Sequence, residues 1–490
     1  MSKGDQAVSE RTGLPSVAGR LRRDLGTLES YATLIGILIG AGIFSVTSQA
    51  WSLTGPSVIL GYLVLFPVIL ATSVPYAVFL STPLGREPGG EYTHISETLA
   101  GRPSGRRLAF VGAWLKIVSY IGAGAFLASA LADYLIAATG GRLNPQTSRL
   151  PLALASLFFF YLVHLVGVRW FGRLQVTLCA LKGLALCVLI VPGLFAIETA
   201  NYRPFVTHGL SGFWASLVPL FFSYAGFESL AQTAGEVKDS TRRLPLIFLR
   251  GISLTVLIFV LMSAVTFGVL PGSRLQSSSA PMADVAGVYL PAGAAWFVTL
   301  GAIMALTTSL NSILFVPSRL GHILARDGLA PRWIGAIHPG TGTPVWGLTL
   351  TSVAAALLLL SGQLSLALNG SIFALVLLYF LHSFTFLLLP RWNPELMNSV
   401  TVSIAPRWQR AAAWLSLIAM GGLLAVLISQ DLQTLSTQSL RQRIENHALT
   451  SIELVAVWGV IGLGLYGLKR RSRRTPEINL NRETRETHEN

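Results

Sequence analysis

The sequence predicts an all-α integral membrane protein with twelve transmembrane helices, and three observations carry that reading. Of its 490 residues 52% are hydrophobic and only 12% are charged, against roughly 25% charged in a soluble domain. The apolar residues come in blocks of about twenty, each long enough to cross ~30 Å of hydrocarbon at about 1.5 Å per residue. The basic residues gather on one side of those blocks, as the positive-inside rule requires.

The blocks predict spans near 27–52, 57–82, 108–139, 149–168, 174–195, 209–234, 246–270, 293–318, 344–361, 364–389, 411–429 and 450–468. They form one membrane domain, 27–468, between an N-terminal tail at 1–26 and a basic C-terminal tail at 469–490. With both termini in the cytoplasm, 27 of the 36 Lys and Arg lie in cytoplasmic segments and 6 in external ones, with Lys116, Lys182 and Arg250 inside spans. This orientation suits a plasma or inner membrane. The net charge of +14 is spread along the chain and not clustered on a groove-sized face, so no nucleic-acid partner is expected. The run Lys469-Arg470-Arg471-Ser472-Arg473-Arg474 reads as a stop-transfer anchor on lipid headgroups. The N-terminal segment is polar and shows no cleavable signal pattern. Cys179 and Cys187 lie more than two turns apart on one helix, too far for a disulfide.

Between spans two and three, Pro83 to Arg107 starts rich in Gly and Pro and then sets Tyr92, Ile95 and Leu99 at helical spacing. Either a short helix at the cytoplasmic face or a plain loop fits that pattern. Glycine interrupts two spans near their middle, at Ile39-Gly40-Ala41-Gly42-Ile43-Phe44 and at Tyr224-Ala225-Gly226-Phe227-Glu228. One such run alone suggests close helix packing. Two, in corresponding positions of the two halves, point to discontinuous helices around a midplane binding site in an inverted-repeat transporter.

Around these breaks the residues resemble a known family. The runs Gly40-Ala41-Gly42-Ile43-Phe44, Phe222 to Ser229, Glu236-Val237-Lys238, Arg242-Arg243-Leu244-Pro245 and Ser318-Arg319 through Ala325-Arg326-Asp327-Gly328-Leu329-Ala330-Pro331 are similar to the amino acid–polyamine–organocation superfamily. So are Gly89-Gly90-Glu91-Tyr92 and Gly342-Thr343-Pro344-Val345, and the likeness extends over residues 27–395. It implies the leucine-transporter fold, two inverted five-helix repeats plus two helices, and amino acid movement by proton symport or exchange. The chain departs from the pattern at Asp239-Ser240-Thr241, where an Asn-Pro step is usual, and between Trp392 and Trp408, which lacks the usual basic-proline pattern.

A zwitterionic substrate in a low-dielectric site must have both charges satisfied. Free amides at Gly40, Ala41, Gly42 and Ile43, where the second half of span one begins, suit a carboxylate, and glycine permits the backbone to approach it. Carbonyls near Ile37 and from Phe222 to Tyr224, before Ala225 and Gly226, suit the ammonium. The resemblance turns Phe222 and Ala225 toward the substrate side chain, although both positions also suit ordinary packing. Glu228, in the sixth span, is either a functional acid that shares in proton coupling or a structural carboxyl, bonded to backbone freed at the break or kept protonated there. With no other midplane carboxylate, neutral substrates are favoured over cationic ones.

Lys182 lies about two turns from either end of span five, too deep to reach the headgroups easily. By resemblance it matches the fifth-span lysine of sodium-independent members, whose ammonium takes the place of a sodium ion. Its neighbours would be the carbonyl of Gly36 and hydroxyls of Thr307, Thr308 or Ser309. A buried lysine can exchange its proton near neutral pH and couple transport to a proton gradient, or it can simply tie helices together. Lys116 is expected to snorkel or face the inner vestibule, and His164 to sit at the interface. No metal, cofactor or hydrolase motif is present. The expected partners are an amino acid or related small molecule, protons and membrane lipid, and nothing in the sequence fixes an oligomeric state. The function expected is proton-coupled, sodium-independent amino acid transport. The alternatives are an exchanger and a transporter-like sensor using the external stretch Gln430 to Ala448, with a membrane-embedded enzyme a distant third.

Overall fold

The computed structural model describes residues 23–40, 42, 46–278 and 281–467. Ala41, Ile43, most of the N-terminal tail and the basic run at 469–474 lie outside the described residues. The described chain folds into α1 (Thr27–Leu38), α2 (Thr47–Thr54), α3 (Val58–Leu80), α4 (Glu91–Thr98), α5 (Pro103–Ala138), α6 (Pro145–Val166) and α7 (Val168–Gly193). There follow α8 (Gly209–Tyr224), α9 (Ser229–Gln232), α10 (Ser240–Val269), α11 (Gly272–Ser277), α12 (Pro281–Tyr289) and α13 (Ala292–Arg326). The last are α14 (Val345–Leu360), α15 (Leu364–Trp392), α16 (Pro394–Asn398), α17 (Pro406–Thr437), α18 (Leu440–Glu445) and α19 (Ser451–Gly467).

Among the described residues nine helical stretches are long and apolar enough to cross a membrane, with α2–α3 and α8–α9 each taken as one. Three shorter apolar helices, α1, α14 and α19, fall where further spans are expected. Helix is what lipid demands, because a backbone amide or carbonyl in hydrocarbon has no water to bond. Proline opens α6, α16 and α17, where it removes no intrahelical bond. The helices also divide by burial. The most apolar windows of α13 and α5 are 78% and 72% buried, whereas those of α6 and α17 are only 22% buried. The first pair is the centre of the bundle and the second faces lipid, with Phe158, Phe159, Trp414 and Ile418 on its outer surface. The stretch after Gln430 is helical too, divided between the end of α17 and α18.

The final span is fixed to the centre by a reciprocal pair. Trp114 of α5 and Trp458 of α19 stack at 4.5 Å, and each indole N–H donates to the other's carbonyl, at 2.7 and 2.8 Å. The segment after α3 does form a helix, α4, but it folds into the protein and buries Tyr92, Ile95 and Leu99. Its Tyr92 hydroxyl donates to Asp327 at 2.6 Å, beyond the end of α13.

Candidate functional site

Two helices are interrupted where glycine interrupts the apolar runs. The first helical half, α1, ends at Leu38, and α2 resumes at Thr47. The other, α8, ends at Tyr224, after which Ala225 is extended and Gly226 takes a φ of 100°. The two breaks touch: a Cβ on Gly42 would lie 2.2 Å from the Cα of Ser223, and one on Gly226 would lie 2.8 Å from the Ile37 side chain. Only glycine permits both the left-handed backbone at 226 and this approach.

Between the breaks lies a cavity of about 30 Å³, room for a water or two. Gly42, Ala225, Gly226 and Phe222 line it, joined by Ile37, Leu38, Ala123, Leu127, Ile313 and Leu375 as apolar walls and Ser119, Tyr120, Ser309 and Ser371 as polar ones. An amino acid is larger than this space, and the largest of its apolar walls is Phe222. It meets Phe126 edge to face at 5.6 Å, and Phe126 also lines a larger cavity of about 310 Å³ near the ends of α5 and α6, beside the Asp133–Arg149 ion pair. Tyr224 is absent from the inner cavity. Its hydroxyl donates to the Tyr62 carbonyl at 2.9 Å, and its ring packs against Tyr62 and Phe259.

Behind α1, the Lys182 ammonium donates to the carbonyls of Ile35, Gly36 and Ile39 at 3.3, 3.4 and 3.0 Å and to the Thr308 hydroxyl at 3.1 Å. Ser309 donates to the carbonyls of Gly36 and Ile37 at 3.1 and 3.0 Å, and Gly40 donates to Leu38 at 3.1 Å. Thr307 is half-buried and is not among the oxygens around the ammonium. Among the described residues no carboxylate forms an ion pair with Lys182.

On the other side of the cavity stands a buried charge cluster. Lys116 donates to both oxygens of Glu91, at 2.9 and 2.8 Å, and lies 3.9 Å from Glu228. Tyr76 and Gln232 donate to Glu91 at 2.6 and 2.8 Å. Glu228 accepts from Tyr120 at 2.7 Å, from Tyr379, and from the Gly226 amide at 3.1 Å. The three charged side chains are at most 1% exposed.

A family model described as "Amino acid permease" matches residues 25–440. The chain belongs to the amino acid permease family. Its place is therefore in the superfamily its motifs resemble. The permease is 26% identical over 418 residues to the methylthioribose transporter of Bacillus subtilis (strain 168), covering 81% of this chain and 87% of that one. It is 27% identical over 344 residues to the branched-chain amino acid permease BcaP of the same organism, covering 66% and 71%. It is 30% identical over 360 residues to the chloroplastic cationic amino acid transporter 9 of Arabidopsis thaliana, covering 69% and 61%.

The permease's motifs meet in space. Arg319 of α13 pairs with Glu236 at 3.1 Å, both side chains 1% exposed, and its guanidinium lies 3.4 Å from the centre of the Phe315 ring. Burial pushes the Glu236 carboxyl above its usual range, and the guanidinium pulls it back down. Leu25, just before α1, exchanges backbone bonds with Glu236 and Lys238 at 3.0 and 2.9 Å, so this pair also anchors the start of span one. Arg319→Ala strands a buried carboxylate, a loss of about 3–5 kcal/mol. The purified variant is expected to melt well below wild type, and Glu236→Gln added to it to recover part of the loss. Melting equal to wild type in the single variant contradicts this role.

Two expectations are corrected. Lys116 neither snorkels nor faces a vestibule, because the inward-folded α4 brings Glu91 to it. His164, in the last turn of α6, is not exposed at a surface: it is 2% exposed, donates to the Asn311 carbonyl at 2.8 Å and stacks on Phe171, and Thr343 donates to its carbonyl at 3.0 Å. The chain reverses at Gly167 and lays α7 over it. Sequence reasoning also missed Gln175, one residue type with no charge to flag it. Its amide donates to the Thr308 carbonyl and Ser312 hydroxyl at 3.1 and 3.0 Å, tying α7 to α13 beside Lys182.

Proposed function

We propose that this permease is a proton-coupled, sodium-independent amino acid carrier whose substrate sits between the breaks of α1 and α8. The reading rests on the Lys182 ammonium, held by the Ile35, Gly36 and Ile39 carbonyls and the Thr308 hydroxyl at the break in α1. That is an oxygen cage of the kind an alkali cation takes, filled by a side chain. An ammonium has three hydrogens to share among these oxygens. A neutral amine has two, and its lone pair then faces an oxygen, so proton release loosens the tie between α1 and α13. The backbone around Gly42 takes the substrate carboxylate, the carbonyls ending α8 take its ammonium, and Phe222 and Ala225 meet its side chain. Glu228, with both oxygens bonded, holds the break in α8. The relatives named for amino acids, branched-chain in one case and cationic in another, support the substrate class.

Counterflow separates a carrier from a sensor. Proteoliposomes loaded with unlabelled leucine, alanine or lysine are expected to take up the same labelled amino acid transiently for at least one of them. Binding without counterflow for any amino acid contradicts a carrier.

Both termini face the cytoplasm in this reading. Leu480→Cys, in a chain with Cys179 and Cys187 replaced by serine, is expected to resist an impermeant maleimide on intact cells and to react once they are opened. Labelling of intact cells overturns the orientation.

A further inference from the structure

Two carboxylates and one ammonium are buried together beside the cavity, and of these the carrier reading uses only Glu228, to hold the break in α8. Lys116 donates to both oxygens of Glu91 at 2.9 and 2.8 Å and stands 3.9 Å from Glu228. Glu228 is one side chain from the substrate space: Tyr120 and Gly226, which line the cavity, both donate to it, at 2.7 and 3.1 Å. Lys116 precedes Ser119 and Tyr120 by one helical turn on α5, and its ammonium lies 5.5 Å from the centre of the Tyr120 ring. A cation is thus built in immediately behind the polar wall of the site, against the carboxylate nearest to it.

The consequence concerns the charge of the cargo. A cationic side chain entering past Tyr120 toward Glu228 meets a carboxylate whose oxygens already accept from Tyr120, Tyr379 and the Gly226 amide, and behind it a resident ammonium that offsets part of the carboxylate's pull, in surroundings where like charges are poorly screened. A neutral side chain meets no such opposition, and the walls of Ile37, Ile313 and Leu375 suit it. Specificity achieved by repelling the wrong ligand is a common device.

We propose that Lys116 is a specificity-determining residue: an internal cation that pairs with Glu91, offsets part of the charge of Glu228 and so biases the carrier toward amino acids with neutral side chains. Removing its charge leaves two buried carboxylates that an entering ammonium or guanidinium can satisfy. The inference rests on the carrier reading above and assigns its substrate class.

The test is competition against labelled leucine uptake in proteoliposomes by unlabelled lysine and arginine. In wild type neither is expected to compete. In Lys116→Met, close in volume and uncharged, their apparent affinity is expected to rise roughly 10- to 100-fold, while leucine is still carried. Lys116→Arg keeps the charge and is expected to exclude them still. If Lys116→Met is too unstable to purify, Lys116→Met with Glu91→Gln removes one charge of each sign, and the same gain is expected there through Glu228. Leucine uptake without competition by lysine or arginine in the folded variant overturns the inference, as does competition already present in wild type. Absence of uptake of every amino acid by wild type overturns the carrier reading itself, a result distinct from these two.

Discussion

Lys182→Ala is expected to abolish accumulation driven by a pH gradient while leaving substrate binding in place. The substrate contacts proposed come from the backbone at the two breaks, and the lysine reaches only the rear of α1, at Ile35, Gly36 and Ile39. What the variant lacks is the proposed proton site and the tie to Thr308 on α13. Truncation also strands buried oxygens at about 1–3 kcal/mol each, so some loss of thermal stability accompanies it. Lys182→Arg separates charge from proton exchange, because a guanidinium stays protonated at every physiological pH. It is expected to bind substrate and fail to accumulate it. Accumulation by the Arg variant equal to wild type contradicts the coupling role and leaves Lys182 a structural charge.

Gly42→Val is expected to eliminate substrate binding without preventing membrane insertion. Already the first carbon of the new side chain would lie 2.2 Å from the Cα of Ser223, a backbone atom that cannot turn away. The two broken helices must therefore separate at the place where both line the cavity. Gly42→Ala meets the same atom and is expected to lose most of the affinity, a difference in extent and not in kind. Scintillation-proximity binding on purified protein reads both, with monodisperse elution as the check on folding. Wild-type affinity in the valine variant contradicts a site at the breaks.

Much of this architecture was legible in the sequence because lipid leaves so few choices. Apolar blocks separated by polar turns become helices, and the helices found follow the expected blocks closely, α10 starting before its block and α13 running on past the end of its own. Gly42 and Gly226 marked the breaks through composition alone, and Lys182 stood out because a charge in an apolar run is rarely accidental. The losses have physical causes. Tyr224 entered for its backbone carbonyl alone, and the packing of its ring on Tyr62 and Phe259 had no signal across a break, where helical periodicity stops applying. Lys116 reads as a snorkelling or vestibule lysine because its partner Glu91 lies in a segment that reads as a surface helix or a loop, and only the folding of α4 into the bundle brings them together. Arg319 and Glu236 belong to separate motifs in the sequence, and only the fold brings them together as a pair.

In the proposed carrier the cation in the α1 cage belongs to the protein and its proton to the coupling. Uptake of labelled leucine into wild-type proteoliposomes, in sodium-free buffer with the acid side outside, measures this directly. The carrier is expected to concentrate leucine inside, to do so equally well with sodium added, and to release it when a protonophore collapses the gradient. Concentrative uptake that requires sodium, or that survives the protonophore, contradicts it.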